Sequence, residues 1–234
     1  MGIVYNTSVV RTGMQLWLDA ANTKSYPGSG TTWTDLSGNS NTCTLVSGAS
    51  YLSANNGSIF FDGADDRIAG PNSANLMVTT NFTLDVWVKR TATQGTEQVL
   101  MAKNGEVSPW VGYELMFGSD NNVHLWTSGG AGNGWNSFIY PITDQNWNNI
   151  TVTFSGTAGS TGTALLYVNG TQQATMSGKI TPGSPSLRIF EMGCIRASSR
   201  FLSGSISSAR VYDITLTASQ VLQNFNALRG RYGV

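Results

Sequence analysis

Charge is scarce in this chain. Of its 234 residues only 11% are Asp, Glu, Lys or Arg, against the about 25% usual for soluble proteins. Thirteen basic residues balance thirteen acidic ones, and no run of Lys or Arg could release counterions from a phosphate backbone. Nucleic acid is therefore not expected as a partner. Histidine is rarer still: His124 is the only one, inside the strand-like stretch NNVHLWTS, so a Ser-His-Asp relay would have to use a residue whose context reads as packing. Cys43 and Cys194 stand too far apart for a C-x-x-C redox or zinc motif. They read as reduced thiols, because the opening MGIVYNTSVVRTG lacks the basic and apolar regions of an export signal. No apolar run approaches the ~20 residues of a membrane helix, and no membrane partner is expected. Paired acids are missing as well. The glutamates are Glu97, Glu106, Glu114 and Glu191, and none stands in an E-x-D-x-x-E strand that would set two carboxylates about 5–9.5 Å apart for glycoside hydrolysis. The sequence argues against an enzyme.

What is abundant is small, neutral and alternating. Apolar residues make up 40% of the chain and glycine supplies 27 positions, enough for a proper core and many turns. Period-two alternation marks strands in GMQLWLD, GSIFF, NFTLDVWVKR, EQVLMAK, GYELMFG, NVHLWTS, NNITVTF, TALLYV, LRIFEMG and GSISSARVYD. Gly, Asn, Pro and Ser clusters separate them at the spacing of an all-β sandwich. Asn169-Gly170 between LLYV and TQQATM is a type I′ hairpin signal. One segment departs from this pattern. In LTASQVLQNFNALRG, Thr217 and Gln220 form a capping box, Val221, Leu222, Phe225 and Leu228 share a helical face, and Gly230 supplies a stop. The expectation is one domain over 1–234, a two-sheet antiparallel sandwich with a single amphipathic helix at about 217–229.

The stretch FDGADDRI places Asp62, Asp65 and Asp66 within five positions. Calcium takes about six to eight oxygens, which three carboxylates and loop carbonyls could begin to supply. The same residues also suit a tight turn, with Gly63 at positive φ and the Asp side chains accepting from loop N–H groups. Both readings stay open, as turn or as structural calcium, and no other cofactor is expected.

The segments LWLDAANTKSYPGSGTTWTDLSGN, SIFFDGADDRI, FTLDVWVKR, WNNITVTF, LLYVNG and SGSISSARVYDITLTASQVLQNFNALRGRYG together resemble the laminin-G/pentraxin-like branch of the concanavalin A-type jelly rolls. They cover nearly the whole chain in family order. The resemblance implies a jelly-roll fold in which FDG-x-x-D recurs as a strand-turn element with or without metal. The pentraxin calcium pattern also requires an Asp-Asn pair after the strand matching FTLDVWVKR, where this chain has TATQGTEQ. Pentraxin-style, calcium-bridged ligand binding is not implied.

LDAANTKSYPGSGTTW with NFNALRGRYG is further similar to stand-alone jelly rolls encoded by tailed bacteriophages as virion components. This resemblance implies, first, a non-enzymatic virion surface protein in the capsid, tail or fibre, assembled in the host cytoplasm and exposed after release. Its partners would be other virion proteins or further copies of itself. The alternative is a carbohydrate-binding adhesin for host surface glycans. Either role needs aromatic anchors in loops, and Trp110 in GEVSPWVGYE, Trp135 in GGAGNGWNSF and, more weakly, Tyr26 in KSYPGSG have that context. Trp17, Trp33, Trp87 and Trp147 read as core. No converging set of polar groups is evident beside Trp110 or Trp135, which favours the scaffold over the lectin.

Overall fold

A computed structural model describes residues 8–93, 95–105, 110–129, 134–183 and 188–234, with the backbone alone at 134–136. The strands in chain order begin with β1 (Met14–Asp19), β2 (Thr32–Trp33), β3 (Cys43–Val46), β4 (Ser50–Leu52), β5 (Ser58–Asp62), β6 (Arg67–Ala69), β7 (Asn81–Arg90) and β8 (Gln98–Asn104). They continue with β9 (Val111–Phe117), β10 (Asn122–Gly129), β11 (Gly134–Pro141), β12 (Asn148–Gly156), β13 (Thr161–Val168), β14 (Thr171–Ile180), β15 (Glu191–Met192) and β16 (Ser203–Tyr212), followed by α1 (Ala218–Leu228). All pairings among them are antiparallel.

Two sheets result. The first has the order β14-β13-β12-β7-β16-β5-β4, and β1 joins it on the far half of β16. The long β16 is shared along one edge: Ser203–Ile206 pair with β5 and Ser208–Tyr212 with β1. The second sheet runs β11-β10-β9-β8-β15-β6-β3-β2. Their facing sides interlock into one core. Leu84, Val86 and Val152 of the first sheet meet Leu115, Phe117 and Leu125 of the second, all at most 1% exposed. Phe82 ties the layers together, stacking on Phe154 of its own sheet at 4.9 Å and on Tyr113 of the other at 5.9 Å. Burying such side chains is worth about 1.5–3 kcal/mol each. The architecture is the expected jelly-roll sandwich with one C-terminal helix.

Part of the outer face of the first sheet is also buried, because α1 lies on it. Thr217 and Gln220 make both bonds of the capping box. The docked face differs from the predicted one by a residue: Val221, Asn224, Phe225 and Leu228 are buried, whereas Leu222 is 45% exposed. Spacings of three and four residues carry 221, 224, 225 and 228 along one stripe, and Leu222 lies at its margin over the 169–170 hairpin. Asn169 and Gly170 there have φ of 51° and 77°, and a Cβ on Gly170 would come within 2.9 Å of Phe225 and 3.1 Å of Leu222. Nor does Gly230 end the helix through a left-handed cap, since the chain continues into a 3₁₀ turn over Arg229–Arg231. Beneath α1, Asp85 accepts from Arg210 (3.1 Å), Asn149 (2.7 Å) and Asn224 (3.2 Å). Trp87 stacks on Phe225 and Tyr232 at 5.7 and 4.0 Å.

Cys43 and Cys194 are buried and free. Among the described residues no helix is long and apolar enough to cross a membrane.

Candidate functional site

The outer face of the second sheet carries the polar chemistry. Alternation along β10 sends Val123 and Leu125 into the core and leaves His124 and Trp126 on the outer side. Register then builds a row across the strands. Glu191 of β15 lies opposite Ala102 of β8, Ala102 opposite Glu114 of β9, Glu114 opposite Trp126 of β10, and Trp126 opposite position 135 of β11. Trp135 is thus in an edge strand and not in the loop its glycine-rich surroundings suggested. Its side chain lies outside the described part of the structure.

The segment after β15 crosses this face. Ile195 anchors it, packing with Val99, Ala102, Met116 and Trp126. The Glu191 carboxylate shapes it, accepting from the backbone N–H of Arg196 (2.8 Å) and of Ala197 (3.0 Å). Arg196, Ala197 and Arg200 are all left-handed, with φ of 56°, 54° and 57°, a costly arrangement for residues with a Cβ. That conformation brings two guanidinium groups over the row. Arg200 joins Glu97 through Nε at 2.8 Å and Glu114 through Nη1 at 2.6 Å. Asn104 also donates to Glu114. Burial pushes the Glu114 carboxyl up, against the opposing pull of Arg200 and Arg196.

Trp110, 37% exposed, stands at the start of β9 with the Arg196 guanidinium 5.7 Å from its ring centre. Trp110, Glu114, Trp126, Arg196 and Arg200 enclose an open cleft of about 180 Å³. It combines an available indole, an aromatic floor and fixed polar groups, the composition of a site that orients a small polar ligand.

The remaining sequence candidates fall elsewhere. Tyr26 is withdrawn as an anchor. It is 3% exposed, its hydroxyl donates to the Gly30 carbonyl at 2.6 Å and its ring stacks on Tyr51 at 5.3 Å, so it offers no free face. His124 pairs through Nε2 with Asp120 at 2.9 Å. Trp33, Trp87 and Trp147 are buried as expected, while Trp17 is half-buried beneath the Arg11 guanidinium.

Asp62, Asp65 and Asp66 form the crossover from β5 in one sheet to β6 in the other. The Asp62 N–H donates to Asp66 (2.9 Å), the Ala64 N–H donates to Asp62 (2.8 Å) and Gly63 has φ 85°. These are the bonds of the turn reading. The donor set also fits a hard cation, because carboxylate oxygens of the three lie within 4.8 Å of one another. Burial pushes the Asp66 carboxyl up, the Asp62 N–H draws it down, and the charges of Asp62 and Asp65 raise it again. A cation would relieve that repulsion.

Comparison with known proteins agrees with the fold. A laminin-G-type family model, described as the concanavalin A-like lectin/glucanases superfamily, matches residues 61–222. The chain belongs to this superfamily. No curated protein matches it. Among solved structures it is similar to domain 4 of AbnA, a GH43 extracellular arabinanase from Geobacillus stearothermophilus, in complex with arabinotriose. That match has a TM-score of 0.68 at 16% identity over 90% of this chain and 97% of that one. It is also similar to the botulinum neurotoxin type G receptor binding domain (TM-score 0.68, 17% identity, 92% of this chain, 51% of that one). The binding domain of botulinum neurotoxin DC in complex with SialylT has a TM-score of 0.70 at 13% identity over 93% and 52%. The chain spans about half the length of these toxin domains. Identities so low show the shared fold alone.

Proposed function

We propose that this jelly roll is a non-catalytic carbohydrate-binding domain and that the Trp110–Trp126 cleft holds the sugar. The observation that carries the proposal is convergence. A half-exposed Trp110 and a floor of Trp126 meet Arg196, Arg200 and Glu114 in one cleft, the polar set that the sequence did not reveal beside either loop Trp. An indole face suits the apolar C–H face of a pyranose or furanose, while guanidinium donors suit its hydroxyls. Glu97 and Glu114 are both engaged by Arg200, which suits fixed binding geometry better than proton transfer. The glycans in two of the similar structures, arabinotriose and SialylT, support the reading by analogy of fold.

Placement in a bacteriophage particle belongs to the same proposal and rests on the sequence resemblance. A virion protein presenting this cleft would hold host surface glycans. The experiment is a glycan array with the purified chain and Trp110→Ala. Saturable, sugar-competed binding that falls by at least about tenfold in the variant is expected, the scale of losing an aromatic anchor. A silent array with reduced particle incorporation of Trp110→Ala would return the cleft to the scaffold reading.

A further inference from the structure

The two arginines of the cleft are not equivalent. Arg200 has each of its carboxylate-facing nitrogens engaged, by Glu97 at 2.8 Å and Glu114 at 2.6 Å. Among the described residues Arg196 pairs only with Glu114, at 3.9 Å, a carboxylate already bound by Arg200 and Asn104. Its Nε is buried with no hydrogen-bond partner among the described residues. The side chain is 28% exposed and lies beside the ring of Trp110. Its backbone is held left-handed by the Glu191 carboxylate, so the chain carries conformational strain to present this guanidinium at the cleft. A guanidinium that is part-exposed and weakly paired beside a stacking surface suits a ligand with a carboxylate next to an apolar ring face.

We infer that the cleft selects sugars bearing a ring carboxylate, uronates or sialates, and that Arg196 is the residue that reads the carboxylate. The inference rests on the proposed sugar-binding role of the same cleft. In it the sugar ring lies on Trp110 and its carboxylate meets the exposed part of the Arg196 guanidinium, with Arg200 held back by its two glutamates.

The test uses the full chain and two matched probe pairs, oligogalacturonate against its methyl ester and sialyllactose against lactose, titrated calorimetrically. The acidic member of at least one pair is expected to bind at least about tenfold more tightly than its neutral partner, the scale of a charge-assisted hydrogen bond. Which pair shows the preference distinguishes uronate from sialate. Arg196→Gln is expected to erase the preference by weakening the acidic probe at least about tenfold more than the neutral one, with the melting temperature unchanged, and Arg196→Lys to restore the preference in part. Equal, Trp110-dependent binding of acidic and neutral members would overturn the inference and leave the sugar-binding role standing. So would an acidic preference that persists in Arg196→Gln. Failure of all four probes together with a silent array would overturn both.

Discussion

The Asp85–Arg210 pair beneath α1 offers a demanding test of how the helix is held. Both side chains are 0% exposed and meet at 3.1 Å. Asp85 is the shared acceptor for Arg210, Asn149 and Asn224, and Arg210 keeps Nε and Nη1 without a partner among the described residues. Burial disfavours the Arg210 charge, yet Asp85 more than compensates and holds its pKa above the ordinary value. Asp85→Ala therefore strands a buried cation and takes one acceptor from each of two amides, which keep Val86 O and the Tyr212 hydroxyl. Breaking a buried pair costs about 3–5 kcal/mol, and the acceptor lost by Asn149 and Asn224 adds to it. Removing both charges as Asp85→Leu with Arg210→Met should be milder than Asp85→Ala alone, because no charge is left uncompensated. Urea titration followed by tryptophan fluorescence is the assay, since Trp87 stacks on Phe225 and reports helix docking. A cost below about 1 kcal/mol for Asp85→Ala, or a double variant equal to the sum of the singles, would refute this reasoning.

Phe225→Ala should destabilise by about 3–5 kcal/mol, the usual range for a buried aromatic, and truncation after Asp213 should give a poorly soluble chain. A truncated protein that melts like the full chain would defeat the integral role of α1. Asp62→Ala should cost about 1–3 kcal/mol through unsatisfied loop donors. If calcium binds there, chelator lowers the melting temperature and added calcium restores it; elemental analysis decides between ion and bare turn. Lys103 and Lys179 are buried, and desolvation lowers each to about 8 from 10.5. Between those values the unfolded chain binds more protons than the folded one, so their contribution to stability rises with pH from about 8 to 10.5. The urea midpoint of the wild type should gain on Lys103→Met/Lys179→Met in reverse: the variant is favoured at pH 7 and its advantage shrinks by pH 10. An advantage independent of pH would contradict the assigned cause.

The layered fold was legible because long strands such as NFTLDVWVKR carry strict alternation and because Thr217 and Gln220 announce the helix. The short strands β2, β3 and β4 were not, since two to four residues hold no period. Leu222 and Asn224 exchanged roles because a buried carboxylate, Asp85, recruits the amide from across the sheet, a partner 139 positions away. Trp110 was visible from its loop setting. The rest of the cleft was not, for it depends on register: Glu114 meets Trp126 only through β9–β10 pairing, and Arg196 and Arg200 arrive from a segment far along the chain, at left-handed positions that are not glycine. The one available signal was the alternation in NVHLWTS, which puts Trp126 on the face of His124 and away from Leu125.

Trp110 as the sugar platform carries the proposed function. Its most direct test is the indole N–H spectrum of nitrogen-15-labelled protein titrated with the tightest glycan from the array. A saturable shift of the Trp110 resonance, assigned by Trp110→Phe, is expected, while Trp33 and Trp87, both 0% exposed in the interior, stay in place. Binding that leaves Trp110 unmoved would contradict it.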